Sequence, residues 1–238
     1  MKVLKFGGGC LKDAESIKKV PSIIELYGHD SIIVTSAFGK LTNLLEMVSH
    51  STDKNFKQVL SFFKIILKNL SLSEECLSEH DFQYKSKPEI LSIGELVSSK
   101  ILSCYFRSID FDHYFLDATK FIKTLDTGLD ANLNWEETAK MFSRKKLTNF
   151  PILTQGFISG FGINENFTIT CLGREGSDYS AAIFGYIFNV DEVILFKDVD
   201  GVYDVNPKLN QKAKLISHLN YNEAIQFFNT SNTVVHPK

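Results

Sequence analysis

The chain has 238 residues, of which 44% are hydrophobic, and a formal net charge of −2. This charge balance gives no basic surface for nucleic acid or for an anionic membrane. The apolar runs are shorter than a membrane-spanning helix requires, and no long apolar stretch follows the N-terminal lysines, which argues against a signal peptide. Length and composition are typical of one large α/β domain with a full core.

The cysteines and histidines show no metal-ligand pattern. The four cysteines are scattered without C-x-x-C spacing, and this is typical of free thiols in a reducing cytoplasm. Cys10 lies in a glycine loop, where a small residue is needed. The six histidines have no zinc-site spacing, so no zinc site is expected.

The N-terminal part alternates between strands and small-residue loops. Val3–Phe6 predicts a buried strand that leads into Gly7-Gly8-Gly9, and Asp13 opens a helix with apolar residues at helical spacing. Ser31–Thr35 predicts a second buried strand, which ends in the small-residue turn Ser36–Asn43. Strands separated by helices imply a parallel sheet with right-handed crossovers.

The middle of the chain has a largely helical pattern. Leu44–His50 and residues 53–85 are helical in character, and a stronger helix runs from Pro88 to Leu102. Within it lies Gly94, which costs a helix interior about 1 kcal/mol relative to alanine. Gly94 therefore indicates a packing or ligand requirement, or the true start of the helix. The next predicted elements are strands at Phe111–Leu116 and Phe121–Thr124, a helix at Trp135–Lys146 and a strand at Pro151–Ile158 that leads into a glycine turn at Gly156.

A further glycine-containing turn follows the β-branched run Thr168–Thr170. Gly173 and Gly176 let the backbone turn sharply, and Ser177 or Asp178 is expected to cap the next helix. The free N–H groups at that helix start suit an anion, although the same residues also fit an ordinary turn and cap.

Arg174 lies within this turn and adds a donor fork that matches a carboxylate or phosphate. The last predicted elements follow the turn. Glu192–Phe196 predicts a last buried strand, followed by the turn-rich loop Lys197–Lys208 and a helix at Asn222–Phe228.

Several predicted strands end in glycine or small-residue loops, which meet at one edge of a parallel sheet, where ligands bind. The cations expected there are Lys5, Lys40, Lys197 and Arg174, and together they indicate a phosphate site. No P-loop, dinucleotide fingerprint or nucleophile elbow is present. Phosphoryl transfer needs mainly cations and amides, so Lys5 is the best candidate cation and Asp178 a group that orients it.

Six motifs, in order over essentially the whole chain, resemble those of aspartate kinases. They are Lys5-Phe6-Gly7-Gly8, Ser36–Asn43, Ser92-Ile93-Gly94-Glu95, Leu172–Ser180, Lys197–Pro207 and Val235-His236-Pro237-Lys238. Each motif alone is weak, and together they are specific.

The resemblance implies a three-layer α/β/α sandwich with an open, mainly parallel sheet, here truncated at its C-terminal end. Residues 1–238 would form the amino-acid-kinase catalytic domain without its last strand and without regulatory ACT domains. The implied activity is transfer of the ATP γ-phosphate, with Mg²⁺, to the β-carboxylate of L-aspartate, the first step towards lysine, threonine and methionine. The resemblance leaves two assemblies open, a homodimer and a pairing of this chain with a longer subunit.

The resemblance also implies residue roles. Lys5 would stabilise the transferring phosphoryl group and Asp178 would organise that lysine. The expected phosphate-path and substrate residues are Gly7, Gly8, Ser36, Thr42, Glu95 and Arg174. The expected nucleotide residues are Lys197, Asp198, Tyr203 and Lys208.

Three departures from the family pattern keep alternatives open: Gly9-Cys10 stands where a hydroxyl residue is usual, Thr233 where some members have a nucleotide-contacting lysine, and Asn206-Pro207 where D-P is usual. One alternative is a kinase of the same superfamily with another acceptor, such as uridylate kinase. The other is a non-catalytic remnant that binds nucleotide or depends on a partner.

Overall fold

The computed structural model describes residues 1–51, 56–84, 86–143, 151–162, 166–205 and 209–230. Its strands are β1 (Lys2–Phe6), β2 (Ser31–Thr35), β3 (Tyr114–Leu116), β4 (Ile152–Gln155), β5 (Ile158–Phe161), β6 (Thr168–Cys171) and β7 (Glu192–Phe196). A parallel sheet has the order β3-β4-β2-β1-β7, and β5 and β6 form an antiparallel hairpin. The expected open, mainly parallel sheet is confirmed.

The helices are α1 (Ala14–Lys18), α2 (Val20–Tyr27), α3 (Leu41–His50), α4 (Lys57–Asn69), α5 (Lys87–Ser108), α6 (Ala118–Phe121), α7 (Trp135–Ser143), α8 (Gly176–Ile187) and α9 (Tyr221–Thr230). Asp13 caps α1 as predicted, its Oδ1 accepting from Ser16 N at 2.8 Å. Ser86 and Glu89 form a capping box at the start of α5, and this fixes where the long helix begins.

The sheet separates two hydrophobic clusters, because alternate strand residues point to opposite faces. On β1, Leu4 and Phe6 pack with residues of α1 to α5. Val3 packs on the other face with residues of α6, α7 and α8. This arrangement of helices on both faces of the sheet is the expected three-layer sandwich.

The central strands end in register. Phe6 lies opposite Thr35 on one side and Phe196 on the other, and Thr35 lies opposite Gln155. The loops that follow β1, β2, β4 and β7 therefore start side by side at one edge of the sheet. The sequence-predicted convergence of these loops is confirmed.

Several boundaries and one burial assignment differ from the predictions. In the described part of residues 53–85, only α4 is an α-helix, and short 3-10 turns follow at Glu74–Cys76 and Glu79–Phe82. The strand predicted at Phe121–Thr124 is not formed. Phe121 is the last residue of α6, and Lys123 and Thr124 make only isolated bridges. Residues 144–146, predicted as the end of α7, lie outside the described residues.

The prediction that Glu192–Phe196 is a buried strand is wrong about burial. The strand itself is present with those bounds, but its residues are exposed or half-buried. The physical reason is that β7 lies at the edge of the described sheet. In that sheet it pairs with β1 on one side, and its other side is not covered by a strand.

Gly94 lies inside α5 for a packing reason. A Cβ at this position would lie 2.8 Å from the Cβ of Ala37 and 3.1 Å from Cδ1 of Leu45. The missing side chain lets α5 approach both α3 and the turn after β2. In the described part of the chain, no helix is both long enough and apolar enough to cross a bilayer.

Candidate active site

Two glycine-containing loops interlock at the carboxyl edge of the sheet. Gly7 N donates to Phe196 O at 3.0 Å, and Gly39 N donates to Gly8 O at 3.0 Å. A Cβ on Gly8 would lie 2.8 Å from the carbonyl oxygens of both Ala37 and Gly39. Gly8 is thus required for the loops after β1 and β2 to pack together and form one floor.

A cleft of about 820 Å³ opens above these loops. Of the sequence-predicted site residues, those that line the cleft are Lys5, Gly7, Gly8, Ser36, Thr42, Glu95, Arg174, Lys197 and Asp198. A second cavity, of about 490 Å³, lies beside α4 and is lined by apolar residues such as Phe56 and Leu60 together with charged ones such as Lys64 and Glu74. Only the larger cleft combines glycine loops, cations and buried acids, so it is the candidate active site.

Two lysines share one carboxylate at the bottom of the cleft. Lys5 Nζ lies 2.6 Å from Asp178 Oδ1, and Lys197 Nζ lies 2.6 Å from Asp178 Oδ2. The side chains of Lys5 and Asp178 are only 3% and 1% exposed. Lysine and aspartate are rarely buried unless they are paired, so each keeps the other in place. Asp178 does not itself line the cleft; it holds the two ammonium groups that do.

The start of α8 brings Asp178 to this position. A Cβ on Gly156 would overlap the Cβ of Ser177, so the end of β4 and the first turn of α8 are in close contact. Ser177 Oγ lies 2.8 Å from Ser36 Oγ in a buried hydrogen bond. This contact ties α8 to the turn after β2.

The prediction that Ser177 or Asp178 caps α8 is wrong. The N-cap residue is Glu175, in a left-handed conformation (φ 56°, ψ 22°), and it makes no side-chain capping hydrogen bond. Ser177 and Asp178 already lie within the helix, and their side chains contact Ser36 and the two lysines. Tertiary partners therefore outcompete the local cap.

Glu95 projects from α5 into the cleft wall and is buried. Its Oε1 accepts a hydrogen bond from Ala37 N at 3.2 Å, whereas Oε2 is buried and has no partner among the described residues. Burial raises the pKa of this carboxyl to about 8, and the Ala37 hydrogen bond and the Lys5 charge only partly oppose the rise. A buried acid with an unsatisfied oxygen is typical of a ligand contact.

Arg174 and Thr42 both line the cleft, and both are exposed. Arg174 has no hydrogen bond or ion pair with another described residue. Its guanidinium is therefore available to an anion in the cleft.

The predicted nucleotide residues separate into two groups. Lys197 and Asp198 line the cleft. Tyr203 does not line the cleft. Its hydroxyl lies 3.3 Å from Asp200 Oδ2, and the residue forms an isolated antiparallel bridge with Leu215. Lys208 lies outside the described residues, and Lys40 is exposed and is not part of the described cleft wall.

The residues that line the cleft without having been predicted as site residues include Asn43, Glu46, Leu129 and Phe157. Asn43 is inside a motif that was recognised, and Glu46 follows one helical turn later, so helical spacing could have indicated it. Phe157 directly follows the predicted glycine turn and has a positive φ of 66°. Leu129 carries no sequence signal, because only the tertiary fold brings its loop to the cleft.

The Amino acid kinase family model matches residues 1–238, and the chain belongs to this family. A bifunctional aspartokinase/homoserine dehydrogenase of Buchnera aphidicola is 30% identical over 272 aligned residues, covering 100% of this chain and 33% of that protein. An aspartokinase of Chlamydia pneumoniae is 30% identical over 254 aligned residues, covering 99% of this chain and 56% of that protein. The chain thus spans about a third to somewhat over half of these relatives.

Solved structures agree with this grouping. Escherichia coli aspartokinase III in complex with aspartate and ADP superposes with a TM-score of 0.86 at 25% identity, covering 100% of this chain and 58% of that chain. Uridylate kinase from Archaeoglobus fulgidus has a TM-score of 0.51 at 15% identity, which shows a shared fold alone. The resemblance to aspartate kinases inferred from the motifs is confirmed.

Proposed function

We propose that this chain is the catalytic part of an ATP-dependent aspartate kinase, which transfers the γ-phosphate of ATP to the β-carboxylate of L-aspartate. The observation that carries the proposal is the placement, in one cleft, of two lysines on a shared buried aspartate next to a buried glutamate with an unsatisfied oxygen. The first group suits phosphates, and the second suits an ammonium. The E. coli relative solved with aspartate and ADP supports this pairing of ligands.

The chemistry requires little from the protein beyond charge and position. A β-carboxylate oxygen bonds to the γ-phosphorus while the bond from phosphorus to the β,γ-bridging oxygen breaks, and the electron pair leaves with ADP. The attacking carboxylate is already ionised near neutral pH, so no general base is needed. Lys5, held by Asp178, would stabilise the charge on the transferring oxygens.

The amino acid would be held by groups that have no other partner. The unpartnered Glu95 Oε2 can accept from the ammonium, and the approach of that cation lowers the cost of ionising Glu95 in a buried position. Arg174 matches the α-carboxylate with its donor fork. Thr42 and Ser36 would add hydroxyl contacts.

The nucleotide would lie over the glycine loops. Gly7 and Gly8 would line the phosphate path, and Lys197 would contact the phosphates. Nucleotide contacts by Tyr203 and Lys208 remain predictions. Tyr203 does not line the described cleft, and Lys208 lies outside the described residues.

The described residues contain no cluster of three side chains that could hold a metal ion. Magnesium bound mainly by substrate phosphates needs only one or two protein carboxylates. Asp198, in the cleft wall, has no ion pair with another described residue and would fill this role. The metal would supply charge neutralisation on the phosphates.

The cellular setting and the assembly belong to the same proposal. The four cysteines are free, and free thiols are typical of reducing compartments such as the cytoplasm. Assembly as a homodimer or with a longer subunit stays a prediction.

The test is turnover of ATP and Mg²⁺ by the purified chain, comparing L-aspartate with UMP and trapping acyl phosphate with hydroxylamine. We expect an aspartate-dependent hydroxamate that Lys5→Met abolishes. The matched control is Lys2→Met on the same strand, where Lys2 pairs with exposed Glu192 at 2.9 Å and full activity is expected. Turnover with UMP alone would indicate the uridylate kinase alternative. Nucleotide binding without any turnover would indicate a non-catalytic or partner-dependent subunit.

A further inference from the structure

Glu175 occupies a backbone conformation that its residue type disfavours. It has φ 56° and ψ 22° directly before α8, between Gly173 (φ 88°) and the first helical residue, Gly176. Residues with a Cβ avoid this left-handed region. Strain of this kind persists where the surrounding contacts enforce it, and it often accompanies a role of the side chain.

The Glu175 side chain reaches the lysine at the cleft floor. Its Oε2 lies 3.3 Å from Lys197 Nζ, which also lies 2.6 Å from Asp178 Oδ2. Lys197 thus has two carboxylate partners of different character. Asp178 is 1% exposed, whereas Glu175 is 41% exposed. Of the two, only the Glu175 carboxylate can leave the lysine for water.

The charges of these four groups show what Glu175 does there. Lys5 and Lys197 bring two positive charges, and Asp178 neutralises one of them. Glu175 supplies the second counter-charge, so the charges of these four groups sum to zero in the free protein. If Glu175 withdraws, the two ammonium groups have one unit of positive charge in excess, which an incoming anion can use.

We propose that the Glu175 carboxylate is a built-in competitor of the nucleotide's phosphates for Lys197. In the free protein it holds the ammonium group, and a nucleoside polyphosphate displaces it on binding. The inference rests on the proposed function in that the occupant is a nucleotide. It assigns Glu175 as a residue that weakens nucleotide binding and selects for ligands with enough negative charge to displace it.

The experiment compares ADP binding, with Mg²⁺, to the purified wild-type chain and to Glu175→Gln and Glu175→Gly by calorimetry. Glu175→Gln removes the charge and keeps the side-chain bulk, whereas Glu175→Gly removes both charge and backbone strain. We expect both variants to lower the Kd of ADP by about three- to fivefold, as for an exposed charge pair. The difference should shrink at high salt, and only Glu175→Gly should raise Tm. Glu192→Gln, far from the cleft in an exposed pair with Lys2, is the control and should bind as wild type does.

The outcomes separate this inference from the function on which it rests. Equal affinity in wild type and Glu175→Gln, or weaker binding in Glu175→Gln, overturns the competitor role and leaves the proposed function intact. Tighter binding in Glu175→Gly alone assigns the effect to strain and also overturns it. Absence of ADP binding in every variant overturns the inference together with the proposed nucleotide site.

Discussion

Replacement of Glu95 by glutamine tests the electrostatics of the cleft most directly. Glu95 is buried in α5, one oxygen accepts from Ala37 N, and the other has no partner among the described residues. Burial raises the pKa of its carboxyl from an ordinary 4.5 to about 8. Glutamine has nearly the shape of the protonated acid and keeps an acceptor for Ala37, but it cannot ionise.

The sign of the effect follows from proton binding. Between pH 4.5 and 8 the unfolded chain has released the Glu95 proton and the folded chain still holds it, so the free energy of unfolding falls as pH rises. At about 1.4 kcal/mol per pKa unit, the full loss is roughly 4–5 kcal/mol, and it levels off above pH 8. Glu95→Gln removes this loss, so the variant should match the wild type near pH 4.5 and exceed it at pH 8.

Urea unfolding followed by far-UV circular dichroism at several pH values between 4.5 and 8.5 measures this difference. The matched control is Glu46→Gln, at an exposed cleft position, which should leave the pH profile parallel to that of the wild type. If the Glu95→Gln and wild-type profiles run parallel, Glu95 is not the buried proton-holding group. The same variant should raise the KM for L-aspartate under the proposed function, because an amide does not neutralise the ammonium.

Two further predictions concern packing and charge. Gly94→Ala should lower the free energy of unfolding by about 1–3 kcal/mol, in spite of its better helix propensity, because the new Cβ meets Ala37. Gly185→Ala in α8 should lower the free energy of unfolding less than Gly94→Ala does, since its Cβ meets the tip of the exposed Val193 side chain. Equal decreases for the two variants in urea unfolding would contradict this reasoning. Asp178→Asn should lower the free energy of unfolding by about 3–5 kcal/mol, because it leaves buried Lys5 without its counter-charge. Adding Lys5→Met to this variant should restore part of the lost stability. A double variant less stable than Asp178→Asn would refute the pairing.

The strands of the sheet were predictable because each is a short apolar or β-branched run bounded by turn residues. Ser31–Thr35 and Glu192–Phe196 have the bounds that were predicted, and Val3–Phe6 begins one residue late. Register could then be inferred from the loops that follow these strands. The pattern does not say which strand lies at an edge, and for this reason the exposure of Glu192–Phe196 was missed.

The side-chain partners were less predictable, because they come from distant parts of the chain. Ser177 has the chemistry of a helix cap, yet its hydroxyl bonds to Ser36, 141 positions away. The burial of Glu95 depends on how closely α5 approaches the turn after β2, and helical spacing alone does not give that distance. The motif resemblance supplied Glu95 as a candidate, and the chemistry expected at the glycine loops supplied Asp178. The contacts that explain both residues required the fold.

The role assigned to Lys5 depends on the alternation of β1. Val3 belongs to the cluster on the α8 face, whereas Leu4 and Phe6 belong to the cluster on the α5 face. Lys5 therefore points to the α8 face, where Asp178 lies 2.6 Å away. A shift of one residue in the pairing of β1 would turn every side chain to the opposite face and would move the ammonium to the face of the larger cluster, away from Asp178. The pairing of β1 with β2 and β7 is thus what converts a lysine in a short apolar strand into the central cation of the cleft.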